Sequence, residues 1–387
     1  MKRIILLLSM LSFGIAQAQN CTSCTVTIST LDATPQVVTT GMTLCIASGG
    51  ELSGDIVISG GIVCIEGTLS STNIAMTGGT IENYGVIFSE KLGMSGGEIN
   101  NYANASVSID SVGINSNGAI TNEGQWNSND MGLSKSVVGT SQPVWNNIGS
   151  ASLTVDSLGV DDWTMNLEGS FVVNYAMGVT NGAVINNNGL FDVWGDLGNS
   201  ATINNHDQMT VGRDLGNSGT LHNTCTIYVM RHFASSGTCT GPTASCASIA
   251  VDSSSANSGD FGADGSNLDF CDNAAGFDGN VGTIGPNVTY CSCNSTCNNA
   301  SAISSAEYQN ELTVFPNPFS SSTVFTMKEE GAYSLSIYDV KGQLMKTEKF
   351  KGNRIEISSH ELVDGVYFYQ IRGTNDYTNV GKLVVVM

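Results

Sequence analysis

Between residues 62 and 223 the chain repeats one short pattern: an apolar residue, a variable one, Asn, a variable one and Gly. It occurs at Ile81/Asn83/Gly85, Ile120/Asn122/Gly124, Trp145/Asn147/Gly149 and Ile185/Asn187/Gly189, with looser copies at Ile99/Asn101, Ile203/Asn205 and Leu221/Asn223. A longer copy matches Gly195-Asp196-Leu197-Gly198-Asn199 to Arg213-Asp214-Leu215-Gly216-Asn217, one repeat further on. The positions of successive apolar anchors differ by 18, 21, 25, 40, 18 and 18, and the longest step fits two repeats, one of them degenerate near Trp163 to Gly169. A period of about 18 to 25 residues, with Gly around each anchor and no helical periodicity, predicts a parallel β-helix with one coil per repeat. Leucine-rich repeats have a similar length, but their Leu-x-x-Leu-x-Leu pattern is absent.

Coils of a β-helix stack ~4.8 Å apart, with equivalent residues over one another. The anchors Ile81, Ile99, Ile120, Trp145, Ile185, Ile203 and Leu221 should therefore form an internal apolar stack. The Asn two residues later points the same way, so Asn83, Asn101, Asn122, Asn147, Asn187, Asn205 and Asn223 should form a structural ladder of amide hydrogen bonds. Asn also tolerates the left-handed backbone of a tight corner. The alternative is a row of exposed amides that binds sugar. From Ile62 to Leu221 the repeats give about nine coils, or ~40 Å of rod.

The pattern changes at both ends. Strict alternation in Tyr333–Tyr338 and Val366–Ile371, with turn signals at Asp339–Gly342 and Asp364-Gly365, predicts a small antiparallel, immunoglobulin-like β-sandwich of about seven strands over 311–387. At the other end, Lys2-Arg3, an apolar run from Ile4 to Leu11 and Ala16-Gln17-Ala18 have the form of a secretory signal peptide over 1–18. No later stretch is long and apolar enough to span a bilayer as a helix.

Composition sharpens this all-β reading. Gly numbers 45 and charged residues are 12%, which disfavours a helical bundle. The net charge is 14 minus 34, or −20, unevenly distributed: residues 20–310 hold four basic residues (Lys91, Lys135, Arg213, Arg231) against 25 acidic ones, or −21. Four scattered cations cannot neutralise a phosphate backbone, which excludes nucleic acid and anionic membranes as partners. Residues 311–387 hold eight basic against nine acidic residues, so a domain boundary falls near residue 310.

Eleven Cys in an exported chain are read as disulfides, with one thiol left over by parity. They lie at 21, 24, 45 and 64, then from 225 to 297, bracketing the repeats. The predicted organisation is a signal peptide over 1–18, an N-terminal cap over 19–60, β-helix repeats over 61–235, a Cys/Asp-rich cap over 236–300, a linker over 301–310 and the C-terminal domain over 311–387. Disulfide-stapled caps would block the open strand edges of the terminal coils.

The chemistry-bearing residues are sparse. Asp260, Asp264, Asp269 and Asp272 are candidate calcium ligands, although they fit no EF-hand and no nonapeptide calcium repeat, and a solvated acidic loop is the simpler reading. No other cofactor is indicated. Some β-helices are polysaccharide lyases or glycoside hydrolases, and here Arg213, Arg231, Lys135, the histidines and the pair Asp161-Asp162 are the groups such an activity would use. Adjacent strand residues point apart, which weighs against that pair, and no Gly-x-Ser-x-Gly motif occurs. Trp126 and Trp194 are candidate exposed rings for stacking on surface glycans, while Trp145 sits at an anchor position. Asp110-Ser111-Val112 and Asp156-Ser157-Leu158 are similar to short O-glycosylation sites of exported proteins.

Four blocks near the C-terminus carry a family resemblance: Val314-Phe315-Pro316-Asn317-Pro318-Phe319, Tyr333 to Gln343 with Asp339 and Gly342, Leu362 to Tyr369 with Gly365 and Tyr367, and Gly381 to Val386 with Lys382. In that order they resemble the type A C-terminal sorting domain of type IX secretion cargo in Bacteroidetes, while the middle is similar to pectin-lyase-like parallel β-helix proteins. The resemblance implies export through the periplasm and recognition by the type IX machinery and its sortase. It also implies delivery to the bacterial cell surface or the medium, and it leaves the passenger's activity open. The reading is a secreted or cell-surface structural or adhesive protein, with a β-helix carbohydrate-active enzyme, a polysaccharide lyase or glycoside hydrolase, as the alternative.

Overall fold

A computed structural model describes residues 20–115, 118–135, 142–272, 276–292, 312–315, 319, 321–339, 344–363, 365–373 and 378–385. The proposed signal peptide and the 301–310 linker lie outside these residues. The chain forms two units, 1–300 and 301–387.

The first unit is a parallel β-solenoid with three-sided turns. Its plainest turn has strands Val184–Asn187, Leu190–Val193 and Asp196–Asn199, joined by two-residue corners, and one circuit carries Val184 onto Thr202. Each strand alternates, and six side chains per turn point inward: Ile185, Asn187, Phe191, Val193, Leu197 and Asn199. A single strand this short cannot bury a face alone; stacked turns bury it against one another. The first side runs from Val26–Ile28 to Thr283–Ile284 through thirteen consecutive parallel pairings. The solenoid therefore has about 13 turns, or ~60 Å of stack.

The expected apolar stack is present. Ile81, Ile99, Ile120, Trp145, Met165, Ile185, Ile203 and Leu221 are paired in register and at most 1% exposed. The count of nine coils is corrected because that template requires Asn two residues after the anchor, and the outer turns put other residues there. Val63 is followed by Ile65, Leu44 by Ile46 and Phe261 by Ala263, yet all three anchors belong to the same stack. The stretches expected to be caps, 19–60 and 236–300, thus contribute solenoid turns of their own, as far as they are described. Disulfides Cys21–Cys64 and Cys24–Cys45 staple the first turns and Cys271–Cys291 the last. Cys225 and Cys246 are also disulfide-bonded, and Cys239 is a buried free thiol whose pKa burial pushes up to about 11.

Among the described residues the second unit is a small antiparallel sheet of five strands between Leu312 and Val385; about seven strands in an immunoglobulin-like sandwich are the expectation from the sequence. The long strand Ser322–Asp339 is its spine, pairing with Leu312–Phe315 along its first part, with Gly365–Arg372 along its last, and with Leu344–Ser358 along its length. Phe325, Leu335, Ile337, Tyr367, Ile371 and Leu383 form a separate core. Among the described residues no helix is long and apolar enough to cross a membrane.

Candidate functional site

The ladder asparagines are internal. Asn83, Asn101, Asn122, Asn147, Asn187, Asn205 and Asn223 are all 0–1% exposed. Nδ2 of Asn83 donates to Oδ1 of Asn101 at 2.7 Å, Asn101 to Asn122 at 2.7 Å and Asn122 to Asn147 at 2.6 Å. Leu167 then interrupts the column, and Asn187, Asn205 and Asn223 resume it at 2.7 and 2.8 Å. These residues sit inside strands, not in left-handed corners. The Asn-x-Gly spacing has a different cause: the amide oxygen accepts the N–H two residues on, as in Gly85 to Asn83 and Gly189 to Asn187, both 3.2 Å. At that position a Cβ would stand 2.2 Å from the Gly67 carbonyl oxygen at Gly85, and 2.4 Å from that of Gly169 at Gly189.

Two further amide ladders were not anticipated. Asn199 donates to Asn217 at 2.8 Å on the inner third side, and Asn166, Asn186 and Asn204 link Asn146 onward along the outer first side at 2.8 Å. Their signal was in the repeat: the first pair lies one repeat apart, as do Asn186 and Asn204. The outer third side also carries Gly93, Gly113, Gly132, Gly159, Gly178, Gly198 and Gly216 in one column, where a Cβ would meet nothing within 4 Å.

The corner between the second and third sides changes along the rod. It is one residue in the turns that carry Asp110, Asn129 and Asp156. In strand Ser170–Thr180, Val155 pairs with Val173 and Ser157 with Ala176, so Asn174 and Tyr175 oppose Asp156 alone. Later turns keep two corner residues: Trp194-Gly195, Gly212-Arg213 and Met230-Arg231. Such a bulge bends the strand and re-aims its side chains. Tyr175 and Trp194 are 67% and 49% exposed. Gly195 is obligatory, because a Cβ there would lie 1.2 Å from the Tyr175 carbonyl oxygen.

Beside this corner the only two arginines of the described solenoid pair with carboxylates of the turn before. Arg213 Nε lies 3.5 Å from Asp196 Oδ1, and Arg231 grips Asp214 with Nε at 2.6 Å and with Nη2. The Arg231 guanidinium holds the Asp214 carboxyl below the usual carboxylate range, and Asp214 in turn raises Arg231. Both pairs are about half exposed.

The remaining sequence candidates are scattered. Trp126 is corrected: it is 1% exposed, packs edge-on against Trp145 and donates to Ser128 Oγ, so it cannot reach a glycan. It occupies an inward position of the second side, which the first-side template did not cover. Asp161 accepts from Asn181 and Asp162 from the Gly182 N–H. His206 and His222 bond Thr224 and Thr240 of the next turn, and burial lowers the pKa of His206. Asp264 caps Ser266, Asp269 accepts from Thr289 and Ser292, Asp272 accepts from Ser255, and Asp260 lies apart and exposed. Among the described residues no three His, Cys, Asp or Glu side chains form a metal cluster. In the second unit Tyr367 is buried, its hydroxyl donating to the Val363 carbonyl, and Gly365 opens a strand. The backbones of Asp339 and Lys382 lie in strands, while Pro316, Asn317, Pro318 and Gly342 fall outside the described residues.

Residues 313–386 match the family model of the secretion system C-terminal sorting domain. No curated protein matches the chain. Among solved structures it is similar to dimeric latent PorU from Porphyromonas gingivalis, at 24% identity and a TM-score of 0.17. That match covers 19% of this chain and spans 9% of the PorU chain. The chain thus carries a type IX sorting signal at its C-terminal end, which implies export to the cell surface or the medium.

Proposed function

We propose that the chain is a cell-surface protein with a structural and adhesive role, its solenoid the working part and its C-terminal domain the address. On this reading a signal peptide over 1–18 takes the chain to the periplasm. The type IX machinery recognises the C-terminal domain, and a sortase removes it. The solenoid is then anchored or released outside the cell.

The observation that carries the reading is how the solenoid uses its polar groups. Inside, they tie one turn to the next through amide ladders. Outside, the arginines, the Asp161-Asp162 pair and the histidines are bonded to neighbouring turns, an arrangement suited to rigidity and recognition. A stack of turns, each buried only by its neighbours, becomes stiff as it lengthens and presents long flat sides. Calcium on the 260–272 segment would be an accessory to that rigidity. The test compares cells that display the chain with cells that lack it, on polysaccharide-coated surfaces, scoring adherence and new reducing ends together. Adherence that depends on the chain without new reducing ends supports the reading. Chain-dependent cleavage overturns it in favour of a carbohydrate-active enzyme.

A further inference from the structure

We propose that the widened corner around Tyr175, Trp194, Arg213 and Arg231 is a binding site for a neutral glycan. The proposal rests on the adhesive reading and names the ligand class that reading leaves open.

Three observations converge on this corner. The first is the exposure of its rings. Of the four Trp in the chain, Trp126, Trp145 and Trp163 are at most 1% exposed, whereas Trp194 is 49% exposed and Tyr175, one turn earlier, 67%. Met230, at the corner position two turns after Trp194, is 37% exposed. Flat aromatic rings with a polar edge, exposed among polar groups, suit a ligand with one apolar face.

The second is where the fold changes. In the four turns before the bulge this corner holds Glu90, Asp110, Asn129 and Asp156, with no ring and no arginine at the corner position and with Lys91 next to it in the first of these turns. The extra residue enters at Asn174-Tyr175, and within the next three turns come the exposed Trp and both arginines. Gly195 leaves the Tyr175 carbonyl its place, and Gly212, where a Cβ would lie 2.4 Å from the Trp194 carbonyl oxygen, lets the next turn pass.

The third is charge. Arg213 with Asp196 and Arg231 with Asp214 sum to zero, in a segment that carries −21. A polyanion finds no net positive charge here. Each half-exposed pair instead sets unused guanidinium donors beside unused carboxylate lone pairs, the pairing that adjacent sugar hydroxyls, each both donor and acceptor, can satisfy. The two pairs repeat one turn apart, ~4.8 Å along the axis, so an extended neutral chain lying along the corner meets the same chemistry more than once.

The test uses the full exported chain in affinity electrophoresis through gels containing laminarin, galactomannan or polygalacturonate, with acrylamide quenching as a second readout. Retardation by at least one of the two neutral polysaccharides is expected. Trp194→Ala should weaken it about tenfold or more, as for a buried aromatic contact. Tyr175→Ala and the double change Arg213→Gln with Arg231→Gln should also weaken it, whereas Phe88→Ala, an exposed ring elsewhere, should not. Trp194 is the exposed indole, so the acrylamide-quenchable part of the emission should shrink when the polysaccharide binds. No retardation by either neutral polysaccharide, or retardation by polygalacturonate alone, overturns the proposal. Retardation that survives Trp194→Ala, Tyr175→Ala and the double Arg change overturns this site while the adhesive reading stands. Retardation lost in the variants, with cell adherence unaffected by the chain, supports the site and sinks the adhesive reading.

Discussion

Replacing Asn122 with Ala tests the internal ladder at its centre. Asn122 is fully buried, accepts from Asn101 at 2.7 Å, and donates to Asn147 at 2.6 Å and to the Ser152 carbonyl at 3.0 Å. The substitution removes three hydrogen bonds at about 1 kcal/mol each and leaves the Asn147 Oδ1 without the donor from the turn before, an orphan worth roughly a further 1–3 kcal/mol. Asn101 keeps a bond to the Gln125 carbonyl at 3.1 Å, which limits the loss on that side. The expected cost is about 3–5 kcal/mol. The matched control is Asn166→Ala in the outer ladder, where the bonds to Asn146 and Asn186 are of similar length but half-buried. Water replaces them there, and the cost should stay below about 1 kcal/mol. Solenoids unfold in segments, so the assay is native-state hydrogen exchange of amides in the turns around the mutation, beside a guanidinium midpoint. Equal losses for the two variants would refute the claim that burial makes the inner ladder strong.

Gly195→Ala should destabilise by several kcal/mol because its Cβ has no room, whereas Gly159→Ala, in open space and with ordinary backbone, should be neutral or stabilise by about 0.5–1 kcal/mol; thermal melts of both variants decide it. Burial raises the Asp192 pKa, against a smaller opposing effect of the Thr210 hydrogen bond. Its ionised form therefore destabilises the fold at neutral pH, and Asp192→Asn should raise the melting temperature at about pH 7. That gain should fade below about pH 4, where the carboxyl is protonated in both folded and unfolded states. Changing Cys24 and Cys45 to Ser opens a link across a sequence separation of 21 and should cost about 3 kcal/mol, seen as faster hydrogen exchange confined to the first turns.

The sequence made the solenoid legible where one side of each turn repeats both an apolar anchor and an Asn. That template located Ile81 through Leu221 and the inner ladder. It failed at the outer turns, where Ile46 and Ile65 hold the ladder position and apolar packing replaces the amide bond. It misplaced Trp126 because only the first side was in register: Gly124, which closes the first-side template, stands two residues before it, but the second-side column of Ile87, Val107, Trp126 and Leu153 carries no Asn of its own to mark it as inward. The ion pairs of the widened corner recur at one spacing, Asp196 before Arg213 and Asp214 before Arg231, and that regularity was visible. The bulge that exposes Tyr175 was not, since one extra residue in a repeat of variable length leaves no mark until the strands are paired.

The most direct measurement is surface display. The full chain and a chain ending at residue 312 are expressed in cells that possess the type IX machinery, and intact cells are treated with an external protease. The account predicts that the full chain is cleaved by the external protease or shed into the medium, while the shortened chain stays protected in the periplasm with its disulfides formed. Equal appearance of both outside the cell would contradict it.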